Sequence, residues 1–172
     1  MKLSALIVGI IAIAVNVTIY WQTDRKKLLL TKLIADSLWG VQYALLGGYT
    51  GAAIALIGIL RSIVFLNEDK KWASGKKWLI IFLLLSIASA FFTYKGTESL
   101  LPVLASLLAV LSFWQKKPSL TRFLSFPIAT AMLIYDIFIG SAMGLINETM
   151  VLVSSFTAVI KLKDKNNGEN KR

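Results

Sequence analysis

The chain of 172 residues is apolar and basic, with 56% hydrophobic residues and a formal net charge of +10. It contains no cysteine and no histidine, which excludes disulfides, thiolate chemistry, and imidazole metal sites or proton relays. Its charges are grouped between apolar runs of about 16 to 20 residues, which is close to the length that spans a bilayer core, so the composition indicates a polytopic membrane protein.

The apolar runs predict seven transmembrane helices. These helices span about Leu3–Tyr20, Leu28–Leu46, Gly51–Leu66, Trp78–Tyr94, Leu100–Trp114, Arg122–Ile139 and Leu145–Ile160. A basic residue before the first run and small residues at 12–14 also fit a signal peptide. The run continues past that point, so we expect the first helix to remain in the mature protein. The polar tail, residues 163–172, is expected to be disordered.

The distribution of basic residues among the loops predicts the orientation of the chain in the membrane. If successive loops alternate between the two sides of the membrane, Lys2 and Lys95 lie on one side and fifteen Lys and Arg residues lie on the other. The positive-inside rule then places the N-terminus outside and the C-terminus in the cytoplasm. Because these basic residues sit in short loops and in the tail, we expect lipid headgroups rather than nucleic acid as their partners.

Two similar segments predict an internal duplication. One is YWQTDRKK at Tyr20–Lys27, and the other is FWQKK at Phe113–Lys117, at a spacing of 93 residues. The alternative explanation is that Trp and basic residues gather at cytoplasmic helix ends as interfacial anchors. The same spacing relates five pairs at corresponding helix ends: Trp21 and Trp114, Gln22 and Gln115, Gly47 and Gly140, Gly51 and Gly144, and Ser62 and Ser155.

The duplication predicts the fold class. We expect an all-α integral membrane protein in which two parallel three-helix repeats are joined by a linker helix, a 3+1+3 arrangement. The expected units are the first bundle at 1–66, a cytoplasmic loop with linker helix 4 at 67–96, the second bundle at 97–162 and the tail at 163–172. Transporters with parallel repeats place their substrate path between the repeats near the midplane.

Three segments resemble the YgjV family of bacterial inner-membrane proteins. They are YALLGGYTGAA at Tyr43–Ala53, LLPVLAS at Leu100–Ser106 and YDIFIGSAMGLINE at Tyr135–Glu148. The resemblance covers nearly the whole chain except the tail. Because none of these motifs has a known chemical role, the resemblance implies a multi-pass protein of the inner membrane and no particular activity.

A more distant resemblance is to SWEET, PQ-loop and PnuC-type transporters, which share the 3+1+3 plan with the N-terminus outside. In PQ-loop proteins a Pro-Gln pair marks the cytoplasmic end of the first helix of each repeat. Here Gln22 and Gln115 match the Gln, whereas Trp21 and Trp114 replace the Pro. The chain therefore departs from the proline hinges that the resemblance associates with alternating access.

Charged residues inside the predicted spans are candidate functional residues, because charges are costly in a bilayer. Asp36 and Tyr43 share one face of the second helix by their spacing, and Trp39 flanks the same position. A carboxylate with aromatic walls could bind a cationic or hydroxylated solute, or exchange a proton. The alternative is a structural ion pair of Asp36 with Lys32 or with Arg61.

The remaining candidates also have two interpretations each. We expect the Arg61 side chain to extend to the cytoplasmic interface. The alternative is that it points into the bundle, where it would bind a carboxylate or phosphate. Asp136 and Glu148 are predicted near the outer ends of the sixth and seventh helices. Together they could form an acidic mouth that recruits a cation, or Glu148 could simply complement the helix dipole in the first turn of the seventh helix. Asn16 and Tyr135 complete a hydrogen-bonding lining or serve only to pack helices.

These observations leave two hypotheses for function. The first is a transporter or facilitator of a small polar metabolite in the bacterial inner membrane, with a solute as the partner besides the lipid bilayer. The second is a non-transporting membrane scaffold or partner subunit, and a homo-oligomer stays open in either case. We expect no enzymatic activity and no cofactor, because no nucleophile, metal cluster or phosphate loop is evident.

Overall fold

The computed structural model describes the backbone of residues 3–19, 24–114 and 118–169, and side chains over most of 3–156. In these ranges the chain has seven α-helices, one 3₁₀ turn at Thr97–Ser99 and no strand, so the predicted all-helical fold with seven helices is confirmed. The helices are α1 Leu3–Ile19, α2 Arg25–Leu46, α3 Tyr49–Leu66, α4 Lys77–Thr93, α5 Leu100–Trp114, α6 Pro118–Ile139 and α7 Ala142–Glu169.

The helix ends follow local sequence signals. Asp24 caps α2, because its carboxylate accepts a hydrogen bond of 2.7 Å from the Lys26 amide. Gly47 ends α2 with φ 79°, and Gly140 follows α6 with φ 69°, a left-handed conformation that glycine adopts without a steric cost. Helix α7 continues to Glu169 and so includes residues 163–169, for which the sequence predicts a disordered tail.

The α2–α3 connection, which contains Gly47, and the α6–α7 connection, which contains Gly140, have the same backbone hydrogen bonds. The Gly48 amide donates to the Tyr43 carbonyl at 2.9 Å, and the Ser141 amide donates to the Asp136 carbonyl at 2.9 Å. Both the donors and the acceptors of these two bonds are 93 residues apart. The α2–α3 and α6–α7 connections are therefore built alike.

The helices form a ring with one helix beside it. Each helix packs against the next in the chain, α3 also contacts α5, and α1 contacts α7. These contacts close a ring of α1, α2, α3, α5, α6 and α7, whereas α4 packs against α3 and α5. The buried side chains of α4 include Phe82 and Ser86, and the Ser86 hydroxyl bonds the Ser106 hydroxyl of α5 at 2.8 Å.

Much of the outer surface is apolar. Phe91 and Phe92 of α4 are 81% and 88% exposed, and large apolar side chains are exposed on the other helices as well. Among the described residues, Tyr49–Leu66 is long and apolar enough to cross a bilayer, and five other apolar helical segments have 10–17 residues. An apolar surface of this extent is unfavourable in water and favourable against lipid.

Candidate functional site

A cavity of about 340 Å³ lies inside the ring of helices. All six helices of the ring contribute to its wall, whereas no described residue of α4 does. The wall contains six of the eight predicted site residues, namely Asn16, Asp36, Trp39, Tyr43, Arg61 and Glu148. The other two, Tyr135 and Asp136, lie outside this wall.

Asp36 is held between α2 and α3. Its Oδ1 pairs with the Lys32 ammonium one turn away at 2.5 Å, and its Oδ2 is buried without a hydrogen-bond partner among the described residues. The carboxylate lies against Gly58 so closely that a Cβ atom there would be 2.7 Å from Oδ2. Glycine at this position therefore permits the carboxylate to reach the backbone of α3. The structural ion pair with Lys32, one of the two alternatives for Asp36, is present.

Arg61 points into the bundle and is only 6% exposed. It lies one turn beyond Gly58 on α3, lines the cavity and interacts electrostatically with Asp36. The expectation that Arg61 extends to the membrane interface is therefore wrong. The side chain stays inside because the carboxylate supplies an opposite charge there, which offsets part of the cost of burying a guanidinium.

The wall that α2 supplies is more exposed near the start of the helix, called the accessible end below, than near Tyr43, called the closed end below. Lys32, near the start of α2, has a side chain that is 26% exposed. Further along the same wall, Trp39 and Tyr43 are 7% and 4% exposed. The accessible end is the one that the distribution of basic residues predicts to be cytoplasmic.

Aromatic side chains fill the closed end. Tyr43 packs against Trp39 and edge-on against Tyr135, with both pairs of ring centroids 6.0 Å apart. The Tyr135 hydroxyl accepts a hydrogen bond of 3.1 Å from the Gly51 amide, in the first turn of α3. A Cβ atom at Gly51 would be 2.9 Å from the Tyr135 ring, so glycine permits this contact.

A second polar contact at the closed end involves residues that the sequence analysis missed. The Gln42 amide donates to the Ser141 hydroxyl at 3.1 Å, and the same hydroxyl accepts from the Gly144 amide at 3.0 Å. Gln42 and Ser141 are both completely buried. An amide side chain inside an apolar span was the available signal for Gln42, because such groups bond across helices.

Asp136 is completely buried beside this contact. Neither carboxylate oxygen makes a hydrogen bond of acceptable geometry to the described residues, although the hydroxyls of Tyr43 and Ser141 are near enough to act on it. The carboxylate packs directly on Gly144, where a Cβ atom would collide with it. The predicted acidic outer mouth is therefore wrong as far as Asp136 is concerned, because this residue faces neither solvent nor a channel entrance.

Glu148 belongs to a hydrogen-bonded group between α1 and α7. The Asn16 amide donates to Asn147 Oδ1 at 2.6 Å, and the Asn147 amide donates to Glu148 Oε1 at 2.9 Å. All three residues line the cavity. Because α7 begins at Ala142, Glu148 lies beyond the first turn, and the helix-start interpretation is wrong. Asn16 is part of the polar lining of the cavity.

The predicted cytoplasmic corners are described only in part. Trp114 ends α5 and is half-buried. Trp21, Gln22 and Gln115 lie outside the described residues.

The cavity wall combines opposite charges with neutral polar and aromatic groups. Lys32 and Arg61 are basic, and Asp36 and Glu148 are acidic, so the wall carries formal charges of both signs. Serines of α5 and α6 also line the cavity, and Trp39 and Tyr43 supply aromatic surface. A wall of this kind can orient a polar molecule by hydrogen bonds while its apolar part contacts the rings.

Comparison with known proteins identifies relatives by sequence. The family model Imp-YgjV, described as a bacterial inner membrane protein, matches residues 3–166. The chain is 21% identical to the inner membrane protein YgjV of Escherichia coli strain K12 over 154 residues, which cover 90% of this chain and 81% of that protein. No solved structure matches the chain.

Proposed function

The chain belongs to the Imp-YgjV family of bacterial inner membrane proteins, and we propose that it is a transporter or facilitator of a small polar solute across that membrane. The observation that carries the proposal is the central cavity with its charged wall. A volume of about 340 Å³ falls in the range of roughly 300–1,000 Å³ that is typical of small-molecule sites.

The cost of the charges in the wall supports a function for the cavity. Lys32, Asp36, Arg61 and Glu148 all lie on helices of an inner-membrane protein, where ionisable side chains are expensive and usually face a binding site or an aqueous path. The four charges sum to zero formally, and an uncharged or zwitterionic solute would enter without adding an unpaired charge. We therefore expect a polar solute without a large net charge.

The 3+1+3 arrangement is part of the proposal, and reciprocal contacts support it. Gln42 of α2 meets the start of α7 through Ser141, and Tyr135 of α6 meets the start of α3 at Gly51. Gln42 and Tyr135 are 93 residues apart, as are Gly51 and Gly144. Contacts exchanged in this way between equivalent positions are expected for two units related by an approximate two-fold axis. In this scheme α4 is the linker.

We propose that the accessible end of the cavity faces the cytoplasm and that the closed end faces outward. The excess of basic residues in the loops at the Lys32 end supports this orientation. We also propose that the protein is not an enzyme, since the sequence has no cysteine or histidine for nucleophilic or imidazole chemistry.

A non-transporting scaffold is the second candidate, and the Lys32–Asp36 pair favours it. An ion pair at 2.5 Å stabilises the bundle without any solute, and its charges would then serve assembly. Under this alternative the space inside the ring is a packing feature. The two functions differ in whether any small molecule binds in the cavity.

The test is solute binding to the purified full chain with a panel of sugars, nucleosides, amino acids and vitamins. Ala109 lines the cavity on α5, and Leu104 is 49% exposed on the same helix. We expect at least one solute to bind, Ala109→Phe to weaken its binding tenfold or more by filling the space, and Leu104→Phe to leave it unchanged. Absence of binding across the panel, or equal binding by both variants, contradicts a solute site in the cavity.

A further inference from the structure

We propose that Asp136 is a proton-binding site, which takes up and releases the proton that drives transport; this coupling rests on the proposed transport function. The site is distinct from the cavity wall, to which Asp136 does not contribute. It lies at the closed end, where the α6–α7 connection meets α2. Four observations lead to this assignment.

The first observation is the isolation of the carboxyl group. Asp136 is completely buried, and neither oxygen makes a hydrogen bond of acceptable geometry to the described residues. Gly144 leaves no space between the carboxyl group and the backbone of α7. A carboxylate anion without a cation or firm hydrogen bonds is strongly disfavoured inside a membrane protein, whereas the neutral acid is tolerated.

The second observation is the charge of the surroundings. Tyr43 faces Asp136 from α2, and Glu148 acts on it from α7. Tyr135 precedes it on α6, and Glu98 of the 3₁₀ turn acts on Tyr135. These groups are acidic or phenolic, and no basic side chain of the described residues is among those that act on Asp136. Asp136 therefore retains a proton in this state of the protein.

The third observation is the contrast with Asp36. That carboxylate also lies between two helices, against a glycine, but Lys32 pairs with it at 2.5 Å and Arg61 acts on it. Asp36 is therefore part of an ion pair, whereas no cation is among the groups of the described residues that act on Asp136. The titrating function therefore falls to Asp136. The position equivalent to Asp136 in the first repeat is Tyr43, so we expect one proton per cycle.

The fourth observation is a connection between Asp136 and the cavity. Tyr43 lines the cavity and acts on both Asp136 and Glu148, and Lys32 acts on Glu148. A solute that displaces Tyr43 or rearranges Glu148 changes the surroundings of Asp136. Opening the closed end exposes the carboxyl group to water, where it dissociates to the carboxylate and a proton. The proton leaves to the side that has opened, and the anion is reprotonated from the cavity side as that end closes, so that one proton crosses the membrane in each cycle.

The test uses infrared spectroscopy of the purified full chain, because a protonated carboxylic acid has a carbonyl band that a carboxylate lacks. Asp136→Asn removes the acid, and Asp69→Asn is the matched control in an exposed loop. At about pH 7, where an ordinary Asp is ionised, we expect the band to be as strong in Asp69→Asn as in the wild type but weaker in Asp136→Asn. Absence of the band from the wild type, or a band of undiminished strength in Asp136→Asn, overturns the assignment.

A second measurement needs no variant. Dicyclohexylcarbodiimide is an apolar reagent that modifies protonated carboxyl groups in membranes, and peptide mass spectrometry locates the modified residue. We expect modification at Asp136 and not at Asp36 in the wild-type chain at about pH 7. Modification of Asp36 with Asp136 unmodified reverses the assignment, and it does so even if Asp136→Asn fails to fold.

The coupling is tested separately in proteoliposomes with a solute identified from the binding panel. We expect Asp136→Asn to retain solute exchange but to lose accumulation driven by a pH gradient, whereas Asp69→Asn retains both. Full gradient-driven accumulation by Asp136→Asn refutes the coupling. A carbonyl band that depends on Asp136 without any solute binding supports the proton site and contradicts the proposed transport, so the two failures are distinguishable.

Discussion

Removal of Asp36 should destabilise the protein more than removal of its partner Lys32. In Lys32→Met the carboxylate stays buried against Gly58 and keeps Arg61 as a nearby cation. In Asp36→Asn the Lys32 ammonium keeps partial access to solvent, at 26% exposure, but the buried guanidinium of Arg61 loses the carboxylate that offsets its burial. The more deeply buried cation therefore loses an opposite charge only in Asp36→Asn.

The magnitude follows from this difference in burial. Breaking a buried ion pair by removing one partner costs about 3–5 kcal/mol, and Arg61 should reduce that cost for Lys32→Met to roughly 2–4 kcal/mol. For Asp36→Asn we expect the larger cost, about 3–5 kcal/mol, because the buried Arg61 loses an opposite charge. The double variant should recover part of the loss, with a coupling energy of about 1–3 kcal/mol.

The assay is equilibrium unfolding of the purified full chain in mixed detergent micelles, with all four members of the double-mutant cycle compared under one condition. Costs that add without coupling would refute the argument, because they would mean that the ion pair contributes nothing. A larger loss for Lys32→Met than for Asp36→Asn would refute the argument that the carboxylate offsets the burial of Arg61.

Three further substitutions test other contacts. Tyr135→Phe removes the acceptor for an amide of α3 and should lower the free energy of unfolding by about 1 kcal/mol, whereas Tyr49→Phe, at an exposed site, should not change it. Gly58→Ala should destabilise by roughly 1–3 kcal/mol in the same unfolding assay, because the new methyl group displaces Asp36. Ser74→Cys, in the exposed α3–α4 loop, should react with an impermeant thiol reagent only from the cytoplasmic side; labelling of intact cells from outside would contradict the orientation.

The helices and several glycines could be predicted from the sequence because their signals are local. Apolar runs gave all seven helices, although α2, α3, α6 and α7 begin two to four residues earlier than expected. The sequence places Gly47 and Gly140 at corresponding helix ends, and both adopt positive φ there. These features depend on neighbours in the chain and not on the tertiary arrangement.

The fate of individual charged side chains could not be predicted, because it depends on which helix face meets which neighbour. Arg61 is close enough to a helix end to reach the interface, and only the position of Asp36 across Gly58 explains its burial. Asp136 and Glu148 were predicted to lie together in an acidic mouth, but their surroundings differ. Asp136 packs against Gly144, whereas Glu148 lines the cavity. Gln42 was missed because its partner Ser141 is 99 residues away.

The most direct test of the account is the chemical accessibility of the cavity wall. The natural chain has no cysteine, so one introduced thiol gives an unambiguous signal. Ala109 lines the cavity, whereas Ala129 is completely buried on α6 outside it. We predict that a water-soluble maleimide labels Ala109→Cys but not Ala129→Cys in the folded protein, and that a solute from the binding panel protects Ala109→Cys. Equal resistance of both variants to labelling would indicate a closed, dry interior and would contradict the proposed solute cavity.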